Sequence, residues 1–410
     1  MISIDTAQSI ILHHLQALDE ENSPLVDSIG RVLSSDLTAN YTLPGWDNSA
    51  MDGFAVRFSD LSGPDPILII SDEIAAGDGS ERPFKAQTAV RIFTGAPVPP
   101  GADTVVIQEN CRVQENRVCI HTKPNLGANI RKRGSDLDMG DIYLKKGRVL
   151  TAGDISLAAS QGRDWLPVHR RASVAIVTTG NELIEPKEAP PARGQVVDGN
   201  SIALAGCVQE MGGLPHRLGS LIDDADLIYE KLNELKTDIV ITTGGASVGK
   251  FDHVAATIER LCQAGFGFNK VAVKPGKPVI FGRRGRQLFF GLPGNPVSAL
   301  VAFELFVRPA LRQLHGHRSI FKAPIDATLD APLKSGGRRV EYRRGRCWNR
   351  AGQRVVRVED KQSSGALTSI AGQDVLVRVD VGQTALMAGT TIQVLPLNDE
   401  FGYTEEFKSG

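Results

Sequence analysis

The chain has 410 residues, of which 41% are hydrophobic and 23% are charged, and its formal net charge is -1. This length is too great for one ordinary hydrophobic core, so we expect two to four domains. The near-neutral balance argues against a nucleic-acid binder driven by bulk charge, so any anion site must come from local placement of basic groups.

The cysteines and the apolar segments indicate the compartment. The five cysteines are odd in number and form no Cys-x-x-Cys pair, which favours reduced thiols. The N-terminus is not basic, and no apolar stretch approaches the roughly 18 residues that span a bilayer. We therefore expect a cytoplasmic protein with no membrane segment and no nucleic-acid partner.

Two helices are predicted to flank a β-rich segment in the first 170 residues. Asp5 or Thr6 can cap the first helix, which is expected to end near residues 20–24. Thr151 opens the second, where Asp154 completes a capping box. Short strands and turns at about 57–123 have the spacing of a small all-β domain, so the two helices are expected to share a domain that this segment interrupts.

A distinctive loop precedes this β-rich segment. The run from Leu43 to Arg57 contains two carboxylates, Asp47 and Asp52, together with turn formers and small residues. Because a loop that only connects two elements does not need this combination of residues, we favour a functional loop over a plain turn.

Strands alternate with helices beyond residue 171. Strand-like apolar runs at 173–178, 218–222, 239–242 and 288–292 are each followed by a polar or glycine-rich turn. Asn295 as N-cap and Pro296 at the first helical position open a long helix toward Gly316. This alternation predicts a doubly wound, mainly parallel sheet, with the ligand at the carboxyl ends of its strands. Short strands with glycine turns beyond residue 320 predict a C-terminal β domain.

The most informative stretch runs from Asp238 to Asp252. A buried strand breaks there into a turn with Gly244 and Gly245, and Asp252 opens an apolar-periodic helix. A strand, a glycine turn and a helix start together present backbone N–H groups, where phosphates bind well. The alternative, in which the glycines only turn the chain, stays open.

Charged or glycine-rich elements occupy the loops at the predicted ligand-binding edge of this sheet. Because these loops converge, their residues should surround one cleft. Carboxylates beside glycine-turn amides and lysines indicate a phosphorylated ligand with Mg²⁺. The residues concerned are Glu182, Asp223, Asp224, Gly244, Gly245, Asp252, Lys270, Lys274, Lys277, Gly294 and Asn295.

Several of these residues have a purely structural alternative. Asp252 is equally suited to be only a helix N-cap, and either Asp223 or Asp224 can cap the helix that follows them. Lys277 between prolines can be a solvated turn charge. The sequence has no Ser-His-Asp pattern, no zinc spacing and no cysteine beside a plausible base, so covalent catalysis is unsupported.

Six motifs, in order along the chain, closely resemble the molybdenum insertases of molybdenum cofactor synthesis, the MoeA family, which includes the E domain of gephyrin. They are Pro44 to Arg57, Arg91 to Pro99, Thr179 to Leu183, Gly244 to Gly249 with Asp252, Val273 to Pro278, and Gly291 to Pro296. The resemblance covers about residues 5 to 400.

The resemblance implies a multidomain fold. An α+β N-terminal domain would comprise residues 1–43 and 138–170, and an inserted β domain residues 44–137. A doubly wound molybdopterin-binding α/β domain would span residues 171–318, and a β-barrel-like domain residues 319–410. It also implies an elongated homodimer that uses Mg²⁺, takes adenylylated molybdopterin and molybdate, releases AMP, and has the molybdopterin adenylyltransferase as a further partner.

The resemblance also implies roles for individual residues. Asp52 and Thr94 resemble cleft residues contributed by the partner subunit, and Arg344 and Ser364 resemble residues that approach molybdate, with Arg343 and Ser363 as alternatives. The acidic and basic sets are Glu182, Asp223, Asp252, Lys270 and Lys274, with Asp52, Glu182 and Asp252 as metal ligands. The other substrate-binding candidates are Gly244, Gly245, Ser247, Lys277, Pro293 and Asn295. Asn181 departs from the family, which often has Asp there, and this puts the metal affinity in question.

Three other functions stay open. A tungstate-inserting variant would use the same residues, because the two oxyanions are nearly equal in size. A molybdopterin-binding carrier or scaffold would bind without turnover, although the acidic and basic sets favour catalysis. A phosphohydrolase of nucleotide-like pyrophosphates is the most generic possibility.

Overall fold

A computed structural model describes residues 1–13, 15–80, 82–244 and 253–398. The chain forms two compact units. The smaller unit comprises residues 24–29 and 35–166, and the larger unit comprises residues 1–23, residues 30–34 and the chain from Pro167 onward. The four predicted domain boundaries stay a prediction.

The smaller unit is built on a six-stranded mixed sheet. Its strands, in spatial order, are Thr104–Ile107, Gly53–Val56, Thr88–Ile92, Ile67–Ile74, Arg117–Ile120 and Cys111–Gln114. Two short ribbons, Leu37–Thr38 with Ile142–Leu144 and Asn48–Ser49 with Ile130–Arg131, and the helix Ala152–Ser160 accompany it. Alternate strand residues such as Phe54, Val56, Val106 and Val118 form its core, as expected for a small β domain.

Of the two helix starts predicted in the first 170 residues, one is confirmed and the other is wrong. The capping box is confirmed: Asp154 N–H donates to Thr151 Oγ1, and Thr151 N–H donates to Asp154 Oδ2 at 2.9 Å. The predicted cap of the first helix is wrong, because this helix is Ile4–Leu12 and Ser3 Oγ accepts the N–H of Thr6 at 3.0 Å.

The predicted end of the first helix is also wrong. The helix stops at Leu12, and Glu20–Pro24 is a strand. The backbone after the helix is held instead by a tertiary contact, in which Leu18 N–H donates to the carbonyl of Leu314 at 2.7 Å. A contact this distant in sequence overrides the apolar periodicity on which the longer helix was predicted.

The larger unit contains the predicted doubly wound sheet. Its strands, in spatial order, are Leu214–Leu221, Ser173–Thr179, Ile239–Thr243, Gln287–Leu292, Ile280–Arg284 and Phe266–Phe268. The first four strands pair in parallel, and the fifth pairs antiparallel with both the fourth and the sixth. Val174 and Ile176 face one core, whereas Ala175 and Val177 face the other. The sheet is therefore buried on both faces, which explains its continuous apolar runs.

Helices cover both faces of this sheet. Asn200–Glu210, Pro296–Ala302 and Arg308–Leu314 contribute to one core, and Ala225–Glu234 and His253–Cys262 to the other. The long helix predicted from Asn295 contains a π-helical segment, Phe303–Val307. No helix in the described part of the chain is long and apolar enough to cross a bilayer.

The C-terminal strands close into a barrel. Val340–Arg350, Gln353–Val358, Ile325–Leu329, Thr391–Pro396 and Val375–Val379 pair in that order, and the last pairs back with the first. The strand Val273–Lys274 joins the barrel by pairing with Val340 and Glu341. This pairing brings the predicted lysine turn against the C-terminal β domain. The remaining short strands are Trp165–His169, Leu183–Ile184, Val196–Val197, Leu333–Lys334 and Ala385–Leu386.

His315, which follows the helix Arg308–Leu314, is expected to make the fold sensitive to acid. It is buried, its Nε2 accepts the N–H of Ala172 at 2.9 Å, and burial lowers its pKa to about 4. Because its pKa is lower in the folded chain than in the unfolded chain, the stabilisation is present above about pH 6.5 and is lost as pH falls toward 4. Burial lowers the pKa of His317 in the same direction, also to about 4.

We expect the free energy of unfolding to fall by about 2 kcal/mol from His315 alone between pH 7 and pH 5. Urea denaturation at both pH values measures this difference. His315→Gln should shrink it, whereas the control His216→Gln, at an exposed position, should not. An unchanged pH dependence in His315→Gln would contradict this account.

Candidate functional site

A cleft of about 630 Å³ opens at the carboxyl ends of the parallel strands, and we call it the sheet-edge cleft. Thr179, Thr243 and Gly244 line it from the ends of two neighbouring strands. Asp223 follows a third strand, and Pro293, Gly294 and Asn295 follow the fourth. Five of the eleven residues predicted to surround one cleft therefore line it in the described structure: Glu182, Asp223, Gly244, Gly294 and Asn295. Lys270, Lys274 and Lys277 do not, so the prediction of a single cleft for the whole set is wrong.

Gly244 allows the loops to approach one another closely. Its φ is +100°, and a Cβ there would lie 2.1 Å from the carbonyl oxygen of Thr179 and 3.0 Å from Thr179 Oγ1. A Cβ on Gly294 would in turn lie 3.4 Å from the Cα of Gly244. The strand ends at the floor of the cleft are thus packed so closely that only glycine fits at position 244.

Thr179 is a candidate that the sequence interpretation did not single out. Its side chain is buried, lines the cleft, and its Oγ1 has no hydrogen-bond partner among the described residues. A buried hydroxyl without a partner costs free energy, so such a group indicates a ligand that supplies the bond. Its sequence signal was its position as the last strand residue before the turn at Gly180.

Asp198 and Asn200, also missed, fasten the wall of the cleft. Buried Asp198 accepts the hydroxyl of Thr178 at 3.1 Å and the N–H of Ser201 at 3.0 Å. Asn200 Nδ2 donates to Thr243 Oγ1 at 3.1 Å and to the carbonyl of Gly294 at 2.8 Å. These bonds link the start of the helix Asn200–Glu210 to the ends of three strands. The only sequence signal was a polar run before a predicted helix.

The structure separates the two candidate aspartates that follow the strand Leu214–Leu221. Asp224 caps the next helix, because its Oδ1 accepts the N–H of Leu227 at 2.9 Å. Asp223 lines the cleft, and its N–H donates to Asn181 Oδ1 at 3.1 Å. Asn181, the departure from the family motif, therefore helps to fix the Asp223 loop. Glu182 lines the same cleft and is exposed.

We expect Asp223→Ala to reduce turnover and Asp224→Ala to reduce stability. Asp224→Ala should lower the free energy of unfolding by about 1 kcal/mol, the usual cost of a lost N-cap, with turnover retained. Asp223→Ala should reduce turnover at least about tenfold with little change in stability, because it removes a cleft carboxylate. Chemical denaturation and a turnover assay on both variants test this, and equal effects of the two variants would contradict it.

A second cavity, of about 470 Å³, lies beside the first, and we call it the basic cavity. It shares Pro278 and Asn295 with the sheet-edge cleft. Its other polar lining residues are Lys274, Lys277, Ser298, Arg339, Glu341, Tyr342, Arg343, Arg344, Gln362, Ser363 and Ser364. Five cationic side chains against one carboxylate form a local basic site in a chain whose total charge is nearly balanced.

Glu341 orders two of these cations and was not identified from the sequence. It is buried, and its Oε1 accepts Lys274 Nζ at 3.0 Å while its Oε2 accepts Arg343 Nε at 2.8 Å. Burial opposes ionisation of Glu341, but the hydrogen bond from Lys274 and the charges of Arg343 and Lys274 outweigh it and lower its pKa. Glu341 is thus a fixed anion that positions Lys274 and Arg343.

Arg344 and Arg343 differ in what holds them. Arg344 is fully buried, and its Nη2 donates to the carbonyls of Lys361 and Ser363, both at 3.1 Å. Its Nε and Nη2 also donate to Ser369 Oγ. Burial lowers the pKa of Arg344 to about 10, so it stays charged at neutral pH. Arg344 therefore fastens the loop that carries Ser363 and Ser364, whereas Arg343 is held by Glu341.

Asp52 and Thr94 form a fixed pair in the smaller unit. Asp52 Oδ1 accepts the N–H of Thr94 at 2.8 Å and its hydroxyl at 2.7 Å. These two hydrogen bonds lower the pKa of Asp52, so its carboxylate is ionised at neutral pH. The predicted functional loop therefore presents a preorganised anion.

One predicted residue, Lys270, is not brought to either cavity, and three others lie outside the described residues. Lys270 lines neither the sheet-edge cleft nor the basic cavity, and its backbone carbonyl accepts the N–H of Ile2 at 3.2 Å. Gly245, Ser247 and Asp252 lie outside the described residues. Their roles stay predictions.

Three family models match the chain. "MoeA N-terminal region (domain I and II)" matches residues 2–162, "Probable molybdopterin binding domain" residues 175–313, and "MoeA C-terminal region (domain IV)" residues 326–397. The chain belongs to the MoeA family. The family and the fold class predicted from the motifs are thereby confirmed.

Named relatives and a solved structure agree with this membership. The chain is 33% identical over 409 residues to the molybdopterin molybdenumtransferase of Haemophilus influenzae, covering 98% of this chain and 100% of that one. It is 33% identical to the Bacillus subtilis protein of the same name, covering 98% of this chain and 95% of the relative. The molybdopterin biosynthesis MoeA protein of Pyrococcus horikoshii OT3 superposes with a TM-score of 0.80 at 28% identity, covering 97% and 100% of the two chains.

Proposed function

We propose that this MoeA-family protein inserts molybdate into adenylylated molybdopterin and releases AMP. Family membership makes the chain an enzyme of molybdenum cofactor biosynthesis. The observation that supports the specific reaction is the adjacency of a backbone-lined cleft and a cavity with five cations, which share Pro278 and Asn295. This arrangement suits one large phosphorylated ligand and one small oxyanion that must meet.

The basic cavity is the proposed molybdate site. Molybdate is a tetrahedral dianion, and such anions bind to fixed cations and N–H or O–H donors. Lys274 and Arg343 are held in place by Glu341, and the hydroxyls of Ser363 and Ser364 line the same wall. Because these donors are ordered by protein contacts, little reorganisation is required when the anion enters.

The sheet-edge cleft is the proposed site of the adenylylated pterin. Gly244 lets the strand ends at the cleft pack closely against one another, and Thr179 offers a hydroxyl that has no other partner in the described chain. The pyrophosphate bond would then lie near the shared wall at Asn295, where the two cavities meet. A water would attack one phosphorus and lose a proton, the bridging P–O bond would break, and AMP and the pterin monophosphate would be the products. The proposed source of the substrate is a molybdopterin adenylyltransferase.

The donor set fits Mg²⁺. Glu182 and Asp223 supply hard oxygen ligands at the rim of the cleft, and Mg²⁺ needs only one or two carboxylates besides phosphate oxygens and water. Asp52 and Asp252 complete the proposed acidic set. A bound Mg²⁺ would neutralise charge that develops on the phosphate oxygens. The carboxylate that it does not engage is free to orient the attacking water.

We further propose that the active form is a homodimer. Asp52 of the partner subunit, fixed by the partner subunit's Thr94, would complete the acidic set of the cleft. The hydrogen bonds within this pair support the proposal, because they hold an ionised carboxylate in one orientation on the surface of the smaller unit.

The experiment is AMP release from adenylylated molybdopterin by the purified protein with Mg²⁺, with and without molybdate. We expect release that depends on molybdate, with molybdenum retained on the pterin. Binding without release would indicate a carrier or scaffold and would overturn the proposal. Turnover of unrelated dinucleotides would favour the phosphohydrolase, and preferential incorporation of tungstate would indicate the tungstate variant.

Asp52→Asn should reduce AMP release by about 100-fold or more while the fold is retained. The matched control is Asp78→Asn, because Asp78 is also in the smaller unit and is also held by hydrogen bonds from a neighbouring residue, Ser80. Rates and thermal unfolding of both variants test the assignment. Full activity of Asp52→Asn would exclude Asp52 from the reaction.

A further inference from the structure

Three metal-ligating side chains lie together on the smaller unit. They are Asp65, Cys119 and His121, and one ligand atom from each lies within 4.8 Å of the other two. His121 Nδ1 is 3.1 Å from Asp65 Oδ1 and 4.0 Å from Cys119 Sγ. Among the described residues, this is the one group of three such side chains with this spacing. None of the three residues belongs to the site proposed for molybdate insertion.

Strand pairing brings these residues together. Cys119 lies opposite Ile67 across an antiparallel pair, and Ile120 N–H donates to the carbonyl of Pro66 at 3.0 Å. Val118 and Ile120 point into the core, so Cys119 and His121 point to the other face of the sheet. Asp65 precedes the partner strand and therefore meets His121. The sequence showed no zinc spacing because one ligand is more than 50 residues away from the other two.

Two of the three distances between the donor atoms are close to those around a tetrahedral zinc ion, and the third is within 4.8 Å. Zinc–ligand bond lengths and the tetrahedral angle require about 3.6 Å between sulfur and nitrogen and about 3.4 Å between nitrogen and oxygen. The observed separations of 4.0 Å and 3.1 Å differ from these values by less than half an ångström. Small side-chain rotations bring both to the ideal, since Asp65 and His121 are about half exposed or more.

We propose that Asp65, Cys119 and His121 bind a divalent transition-metal ion of the zinc class. A thiolate and an imidazole favour zinc over Mg²⁺, whose ligands are almost exclusively oxygens. The ion clips the turn at Asp65 to the edge hairpin of the sheet and keeps a fourth coordination position for water or an external ligand. The site is independent of the proposed reaction, which uses oxygen donors on other loops.

The test is metal binding by the full-length protein. Zn²⁺ titration against a chromophoric chelator gives stoichiometry and affinity, and Co²⁺ titration gives the thiolate-to-metal charge-transfer absorption that marks a sulfur ligand. We expect one ion per chain, and Cys119→Ser and His121→Asn should each weaken binding by about 10- to 100-fold. The charge-transfer band should disappear in Cys119→Ser.

The matched control is Cys111→Ser. Cys111 lies on the strand next to Cys119, packs against the core, and has its pKa raised to about 11 by burial. This variant removes one thiol from the same hairpin and should bind metal with wild-type affinity. The proposal would be overturned if Cys111→Ser and Cys119→Ser lost metal affinity equally. It would also be overturned if the site were saturated only at millimolar metal concentrations. Circular dichroism of each variant without metal checks the fold, and Asp65→Asn is a second variant outside the strands.

Discussion

Gly244→Ala is expected to abolish molybdate-dependent AMP release. The added methyl would lie 2.1 Å from the carbonyl oxygen of Thr179, well inside van der Waals contact, and the φ of +100° is unfavourable for any residue with a Cβ. The atom that it meets is backbone, so relief requires the strand ends that form the cleft floor to move apart. We expect at least about a 100-fold loss of rate, because a displacement of about 1 Å at a reacting centre has effects of this size.

The control for Gly244→Ala is Gly212→Ala. Gly212 also has a positive φ, +76°, but a Cβ there would meet nothing within 4 Å. Both variants strain the backbone, but only Gly244→Ala also places a methyl group against the carbonyl of Thr179. Equilibrium dialysis with the adenylylated pterin, together with the rate assay, separates the two effects. Retained affinity and rate in Gly244→Ala would show that the substrate does not use this floor.

The two neighbouring arginines of the basic cavity are expected to have different roles. Substitution of Arg344 should mainly reduce stability, and substitution of Arg343 should mainly weaken molybdate binding. Arg344→Gln should lower the free energy of unfolding by about 3 kcal/mol, because it removes a buried charged donor. That guanidinium donates to the buried Ser369 Oγ and to the part-buried carbonyls of Lys361 and Ser363. Arg343→Gln should lower the free energy of unfolding less, because Lys274 still donates to the buried Glu341. It should raise the KM for molybdate by at least about tenfold, because it removes a cation at the cavity wall.

Steady-state kinetics with varied molybdate and chemical denaturation of both variants test this division. Lys277→Gln is a useful third variant, since Lys277 lines the same cavity and tests whether any lost cation has the same effect. A stable Arg344→Gln with a raised KM would reverse the assignment and make Arg344 the residue that contacts molybdate.

Local patterns in the sequence were sufficient for much of the fold. Continuous apolar strands predicted a sheet buried on both faces, and the structure has four parallel strands with helices on both sides. The capping box at Thr151 was confirmed because it depends only on residues three positions apart. The convergence of the cleft loops followed from topology, because parallel strands end at the same edge of a sheet.

Other features depended on contacts between distant segments. The first helix ends early because Leu18 is held by Leu314, and the choice between Asp223 and Asp224 required the position of each side chain. Glu341 and the lysine turn meet only because a two-residue strand joins the C-terminal barrel.

The sequence by itself determined the family, the fold class and the residue types of the cleft, because these follow from short-range periodicity and from motifs. Tertiary structure decided which of two neighbouring arginines is buried, which hydroxyl lacks a partner, and that Asp65, Cys119 and His121 meet. Pairing register and burial depend on residues far apart in the chain. Spacing along the sequence carries little information about them.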